Sequence, residues 1–227
     1  MGLVSGFQDG LIFVSDIFFR HQGAYACVPK RPTTCDKCHS DSGRFHGHGR
    51  YRRWLKTLKN GKVTLVRIWK HRWLCLCCGG TRSTGPPDAL PYRRICTLLI
   101  VALLWTYVDG ERGVQNSISP ELDEAASPRT LARYLKRAKA LCLKTQQAIR
   151  EVLIEQKEPR PWEECFKSGL SPPADLINRH REPSASGMLW RTLSMLIKGS
   201  ETLATPLCLL MARAREKAEQ RLAPFLM

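Results

Sequence analysis

The sequence predicts an α+β chain: a small zinc ribbon, built as a β-hairpin with two Cys-x2-Cys knuckles, followed by an all-α helix-turn-helix bundle and a helical C-terminal tail. Three observations carry that expectation. Cys35-Asp-Lys-Cys38 and Cys75-Leu-Cys-Cys78 put two thiol pairs into one short segment, enough to surround a single tetrahedral ion. Between them, two runs of β-forming residues meet at Asn60-Gly61, a strong short-range hairpin signal. Beyond residue 90 the apolar residues recur at helical spacing behind Pro and Ser-Pro start signals.

Composition narrows the partners. Thirty-six Lys and Arg stand against twenty Asp and Glu, a formal charge of +16 with a pI near 9.7, which favours a polyanion, most often nucleic acid. A hydrophobic fraction of 43% over 227 residues supports packed cores without suggesting a membrane protein. The longest apolar run, Ile95 to Val108, is shorter than the roughly 20 residues of a spanning helix. With no secretory leader pattern at the start, the ten cysteines are expected to be reduced thiols in a cytoplasmic, nucleoid-associated protein.

Taken in order, residues 1–30 hold Leu11 to Phe19, rich in β-branched and aromatic residues, and are expected to form a strand or arm covering the next module. Residues 31–90 form the ribbon. Cys35 and Cys38 are two ligands and Cys78 a third; Cys75 repeats the two-residue gap of the first knuckle, while Cys77 remains an alternative to it. In the second run Val63, Leu65, Trp69 and Trp73 alternate with Thr64, Val66, Lys70 and Arg72, so the first set is expected to pack and the second to carry charge. Arg67 and His71 interrupt the first set. Phe45-His-Gly-His-Gly-Arg50 suggests a turn into the first strand, with His46 and His48 as polar contacts or as alternative metal ligands.

From Lys30 to Arg94 there are sixteen basic residues against three acidic ones. Most of the chain's excess charge therefore sits on the ribbon, where Arg50, Arg52, Arg53, Lys70 and Arg72 are candidate DNA contacts. The interleaved Tyr51, Trp54, Trp69 and Trp73 either pack or stack on exposed bases.

Residues 91–157 are expected to be the helix-turn-helix domain. Pro91 opens a core helix from Tyr92 to Val108, one or two short helices follow between Glu111 and Ala126, and Ser127-Pro128 caps a basic helix. On that helix Leu131, Leu135, Ala138 and Cys142 form an apolar stripe. Arg129, Thr130 and Arg133 would reach base edges, and Lys136 and Arg137 phosphates. Residues 158–187, punctuated by prolines and Ser-Ala-Ser-Gly187, are expected to be a linker. In 188–227, a helix from Met188 to Lys198 stops at Gly199 and Thr205-Pro206 opens another. Leu207, Leu210, Met211, Ala214, Ala218 and Leu222 then line one face, for packing within the chain or for a homodimer.

Cys35-x2-Cys38, His48-Gly-Arg-Tyr-Arg-Arg53, Trp73-Leu-Cys-Leu-Cys-Cys-Gly-Gly-Thr81, Leu90-Pro-Tyr-Arg-Arg94 and Ser127-x2-Thr-Leu-x-Arg-Tyr134 together resemble the N-terminal zinc-ribbon and helix-turn-helix module of bacterial insertion-sequence transposases. They also resemble a related uncharacterised family of stand-alone zinc-ribbon proteins. The resemblance covers about residues 30 to 140 and implies Zn2+ as cofactor, duplex DNA as partner and other transposition proteins nearby. A transposase would continue into a ribonuclease-H-like domain with spaced acidic ligands, and no such pattern follows residue 158. The expectation is therefore DNA recognition without catalysis; the rivals are a transposase or its fragment, and a zinc-stabilised RNA-binding or protein-interaction adapter.

Overall fold

The computed structural model describes residues 30–41, 44–59, 62–90, 93–109, 114, 118, 122–155, 183–202, 205 and 207–220. The chain is α+β. In order it forms β1 (Phe45–Lys59), β2 (Lys62–Cys75), β3 (Thr81–Thr84), α1 (Thr97–Asp109), α2 (Pro128–Glu155), α3 (Pro183–Thr202) and α4 (Leu207–Gln220). The arm expected over residues 1–30 lies outside the described residues except for Lys30.

β1 and β2 form one long antiparallel hairpin whose register closes at Lys59 opposite Lys62, across the two residues Asn60 and Gly61. The Phe45–Arg50 stretch, expected as a turn, is already strand. Its glycines serve a bulge: between the Gly47–Trp73 and Arg50–His71 pairs the register shifts by one residue, and Gly49 takes a φ of 115°, open to glycine and strained for other residues. β3, not expected from the sequence, pairs antiparallel with β2 through His71 to Leu74. On the other edge β1 receives a short parallel bridge, with Lys56 N–H donating to Arg94 O and Cys96 N–H to Lys56 O.

Through the middle of β2 the packing face is the reverse of the expected one, while at its ends Val63 and Trp73 pack as expected and Arg72 is exposed as expected. Ile68 and Lys70 are buried and Val66 packs on the core, while Leu65, Trp69 and Arg67 are exposed. The parity follows from the charges. Turning Trp69 inward would carry Arg67 and His71 toward the core with it, whereas turning Ile68 inward buries one cation, Lys70. Its ammonium donates to Ala89 O at 3.0 Å.

This face, together with the closed end of the hairpin where Thr57 and Leu58 are both buried, joins the sheet to the helices. Leu55, Leu58 and Ile68 belong to the same continuous core as Leu99, Ile100, Leu103 and Leu104 of α1, Leu131, Leu135 and Ile149 of α2, Leu193 and Leu196 of α3, and Leu207 and Leu210 of α4. α1 is apolar on nearly every side because it is enclosed. It starts at Thr97 rather than Tyr92, since residues 94–96 are engaged by the edge of β1; Asp88 Oδ1 accepts from Leu98 N–H and Cys96 Sγ from Leu99 N–H, satisfying two first-turn donors.

α2 begins as expected, with Ser127 Oγ accepting from Thr130 N–H at 3.3 Å. The long connection before it, residues 110–127, shows a turn at Leu122–Ala125, with Val114 in a turn and Ile118 in a bend, among its described residues; most of the stretch assigned to the first helix of a helix-turn-helix lies outside them. α3 differs from expectation at both ends. Pro183–Gly187, read as linker, is its first turn. Gly199 does not stop it: a Cβ there would sit 3.3 Å from Leu210 Cδ2 and 3.4 Å from Leu153 Cδ2, so the glycine lets α3 approach α2 and α4 closely. α4 follows Thr205-Pro206 as expected, and its apolar face, Leu207, Leu210, Met211, Ala214 and Ala218, is buried within the chain.

Candidate metal centre and nucleic-acid interface

Both knuckles fold alike. His39 N–H donates to Cys35 O and Gly79 N–H to Cys75 O; Cys35 N–H donates to Ser40 O and Cys75 N–H to Gly80 O. Each knuckle thus closes on a left-handed residue, His39 at φ 55° and Gly79 at φ 67°. The hairpin register sets Cys75 opposite Phe45, and Arg82 anchors the first knuckle to β3 through Thr34 O and an ion pair to Asp36 at 2.7 Å.

The sulfurs of Cys35, Cys38, Cys75 and Cys78 lie within 4.8 Å of one another. The Cys35–Cys78 and Cys38–Cys75 separations are both 3.6 Å. Four thiolates at about 2.3 Å from one tetrahedral ion are spaced about 3.8 Å apart, so the cluster could hold a metal ion. Cys75 is the member brought in; Cys77 is exposed and outside the cluster. His46 and His48 are also exposed and outside it.

Ser40, which sequence reasoning did not single out, places its Oγ 3.2 Å from Cys38 Sγ and 3.1 Å from Cys75 Sγ. Its hydroxyl is the main cause lowering the Cys38 thiol and bringing Cys75 down to about 6. Cys78 behaves oppositely. The Gly80 backbone bond lowers it, but the Cys38 thiol, burial, Cys35 and Cys75 outweigh that and push it up to about 12. Four adjacent sulfurs do not all ionise unaided; a divalent cation supplies the charge that would let them do so.

The candidate DNA contacts divide among three places. Arg50 and Arg52 lie on the open face of the hairpin, both over the Trp69 ring at 5.0 and 4.5 Å. Arg72 is on the opposite face over Tyr51 at 5.7 Å, where Arg53 is half-buried. Lys70, expected on the DNA-facing surface, is 2% exposed, and burial, then Arg53 and Arg215, bring its ammonium down to about 8.

On α2, Arg129, Arg133, Lys136 and Arg137 are exposed and Thr130 is half-buried in the cap, where its Oγ1 accepts from Arg133 at 3.4 Å. The opposite side, Leu131, Leu135, Ala138 and Cys142, is buried. No helix among the described residues is long and apolar enough to cross a membrane. No protein-family model, curated protein or solved structure matches the chain.

Proposed function

We propose that the protein recognises duplex DNA through α2 and the basic hairpin, with zinc as the structural ion that clamps the knuckles. The observation that carries this reading is the surface of α2. From Pro128 to Arg150 the helix has no acidic residue, and four cations project from the side opposite its buried stripe. Such a helix offers phosphates a row of partners while its packing fixes its orientation. Arg129, Thr130 and Arg133, at the capped end, are assigned to base edges in a helix-turn-helix manner; Lys136 and Arg137 are assigned to the backbone.

A four-sulfur tetrahedral site suits zinc or iron and leaves no open position for a substrate. Zinc is the assignment, and its role is structural. The motif resemblance supports a recognition site in mobile-element DNA, a place among nucleoid proteins and other transposition proteins as partners, without catalysis by this chain.

Selection of duplexes from a random pool by the zinc-loaded protein tests the reading, together with metal analysis of the purified chain. An enriched motif is expected. Arg129→Ala should relax its sequence preference, whereas Lys136→Ala should weaken all sequences alike and reduce the salt slope by about one. Duplex binding that is absent or insensitive to salt would overturn the reading, and iron in place of zinc would overturn the metal assignment.

A further inference from the structure

β1 and β2 contain no acidic residue over their whole length. The open face of their hairpin has four successive register rows, Arg50–His71, Arg52–Trp69, Trp54–Arg67 and Lys56–Leu65. Trp54 is 53% exposed and Trp69 40%, unusual for indoles in a protein that has a core available to bury them. They are diagonal neighbours, one register step apart on the same face, hence about 7–8 Å between positions.

Each carries guanidinium groups: Arg50 and Arg52 over Trp69, and Arg67 over Trp54 at 5.3 Å. At exposed positions the guanidinium groups cover the ring faces only weakly, so an incoming base can displace them onto its flanking phosphates. Flat π surfaces alternating with positive charge, on two strands without a carboxylate, match a strand that presents unpaired bases and phosphates in turn. An intact duplex hides its base faces and can use only the charges.

The rows also lead somewhere. At the Lys56 row the ammonium donates to Glu124 O, three residues before the Ser127 cap, so this face runs toward the exposed N-terminal end of α2. We infer that the open hairpin face, centred on Trp54 and Trp69, is a stacking platform for single-stranded DNA. The target is therefore a junction at which duplex held by α2 passes into an unpaired strand. This rests on the proposed DNA-binding function and adds the strandedness of the target.

The test uses full-length, zinc-loaded protein and three fluorescently end-labelled DNAs: a blunt duplex, the same duplex with a single-stranded thymidine tail, and the tail alone. The tailed duplex should bind more tightly than the blunt one. Trp54→Ala and Trp69→Ala should each weaken the tailed duplex and the free tail by about tenfold and leave the blunt duplex within about twofold; Trp54→Phe and Trp69→Phe should retain part of the binding that the alanine variants lose. Both indoles are exposed, and unchanged zinc content and thermal midpoint verify that the variants fold.

Equal affinity for tailed and blunt duplexes, or tryptophan variants that weaken both equally, would overturn the platform while leaving duplex recognition standing. Loss of all DNA binding by the unmodified protein would overturn both. Competition by polyglutamate as effective as by the thymidine tail would also overturn the platform, because the face would then read charge alone.

Discussion

The Lys70 ammonium sits under the backbone of Gly85, where an added Cβ would stand 2.6 to 2.8 Å from the lysine's Cδ, Cε and Nζ. Burial, with Arg53 and Arg215 nearby, lowers its affinity for a proton from 10.5 to about 8. The folded protein then binds that proton less tightly than the unfolded chain. Between about pH 8 and 10.5 unfolding takes up a proton, so stability rises with pH through that window; below about pH 8 both states are protonated and a cost on the order of 3 kcal/mol persists. Lys70→Met should remove this rise while leaving Ala89 O without its donor, a partly offsetting loss of about 1–3 kcal/mol. Urea unfolding of both proteins from pH 7 to 10.5 measures the difference, in which the titrating thiols cancel; parallel curves would contradict the assignment. At the metal centre, Ser40→Ala removes the hydroxyl beside Cys38 and Cys75. It should weaken binding of the metal, proposed to be zinc, by about 10- to 100-fold without releasing a ligand, measured by competition with a chromophoric chelator.

At the scale of elements, Gly199 shows how packing overrides a local signal. Read along the chain, a glycine after Leu196-Ile-Lys198 is a helix stop; in space it is the contact at which α3 meets Leu153 and Leu210. Gly199→Val should therefore lower stability by about 1–3 kcal/mol despite the gain in helix propensity, measured as a fall in thermal midpoint; an unchanged midpoint would place the α3 contact elsewhere. The same distinction sorts what could be read in advance. The knuckles, the Lys59–Lys62 closure and the Ser127 cap depend on residues a few positions apart, and each was legible. The face of β2 depends on whether Ala89, far along the chain, can accept from Lys70, and alternation alone favoured the bulkier tryptophans. Cys75 over Cys77 followed from equal knuckle spacing, but Ser40 between Cys38 and Cys75 became visible only when both knuckles were in place. The start of α1 depended similarly on Asp88 and on the edge of β1.

At the scale of the molecule, the buried apolar residues among those described form two clusters of very unequal size. One runs from Leu55 and Ile68 of the hairpin through all four helices; the other consists of Cys35, Phe45 and Cys75 with Trp73 packed against it. The small cluster buries too little apolar surface to hold the knuckles together, so the metal is assigned most of that task. The large one owes nothing to the cysteine cluster, because its hairpin members lie toward the Lys59–Lys62 end. Chelation should therefore unfold one end and spare the other. The helical far-ultraviolet circular dichroism is expected to persist, while amide protection is lost around residues 35–50 and 72–82 and the environment of Trp73, whose indole donates to Thr84 Oγ1 at 2.8 Å, becomes solvent-like. Cys38→Ser and Cys78→Ser should produce the same partial state with zinc present. Under the proposed function, duplex binding through α2 should survive in weakened form, with a shallower salt dependence as cations of the ribbon are lost from the contact. If the chelator instead removes the helical signal in one cooperative step, the two clusters form one unit of stability, and the ribbon is a foundation of the bundle rather than an attachment to it.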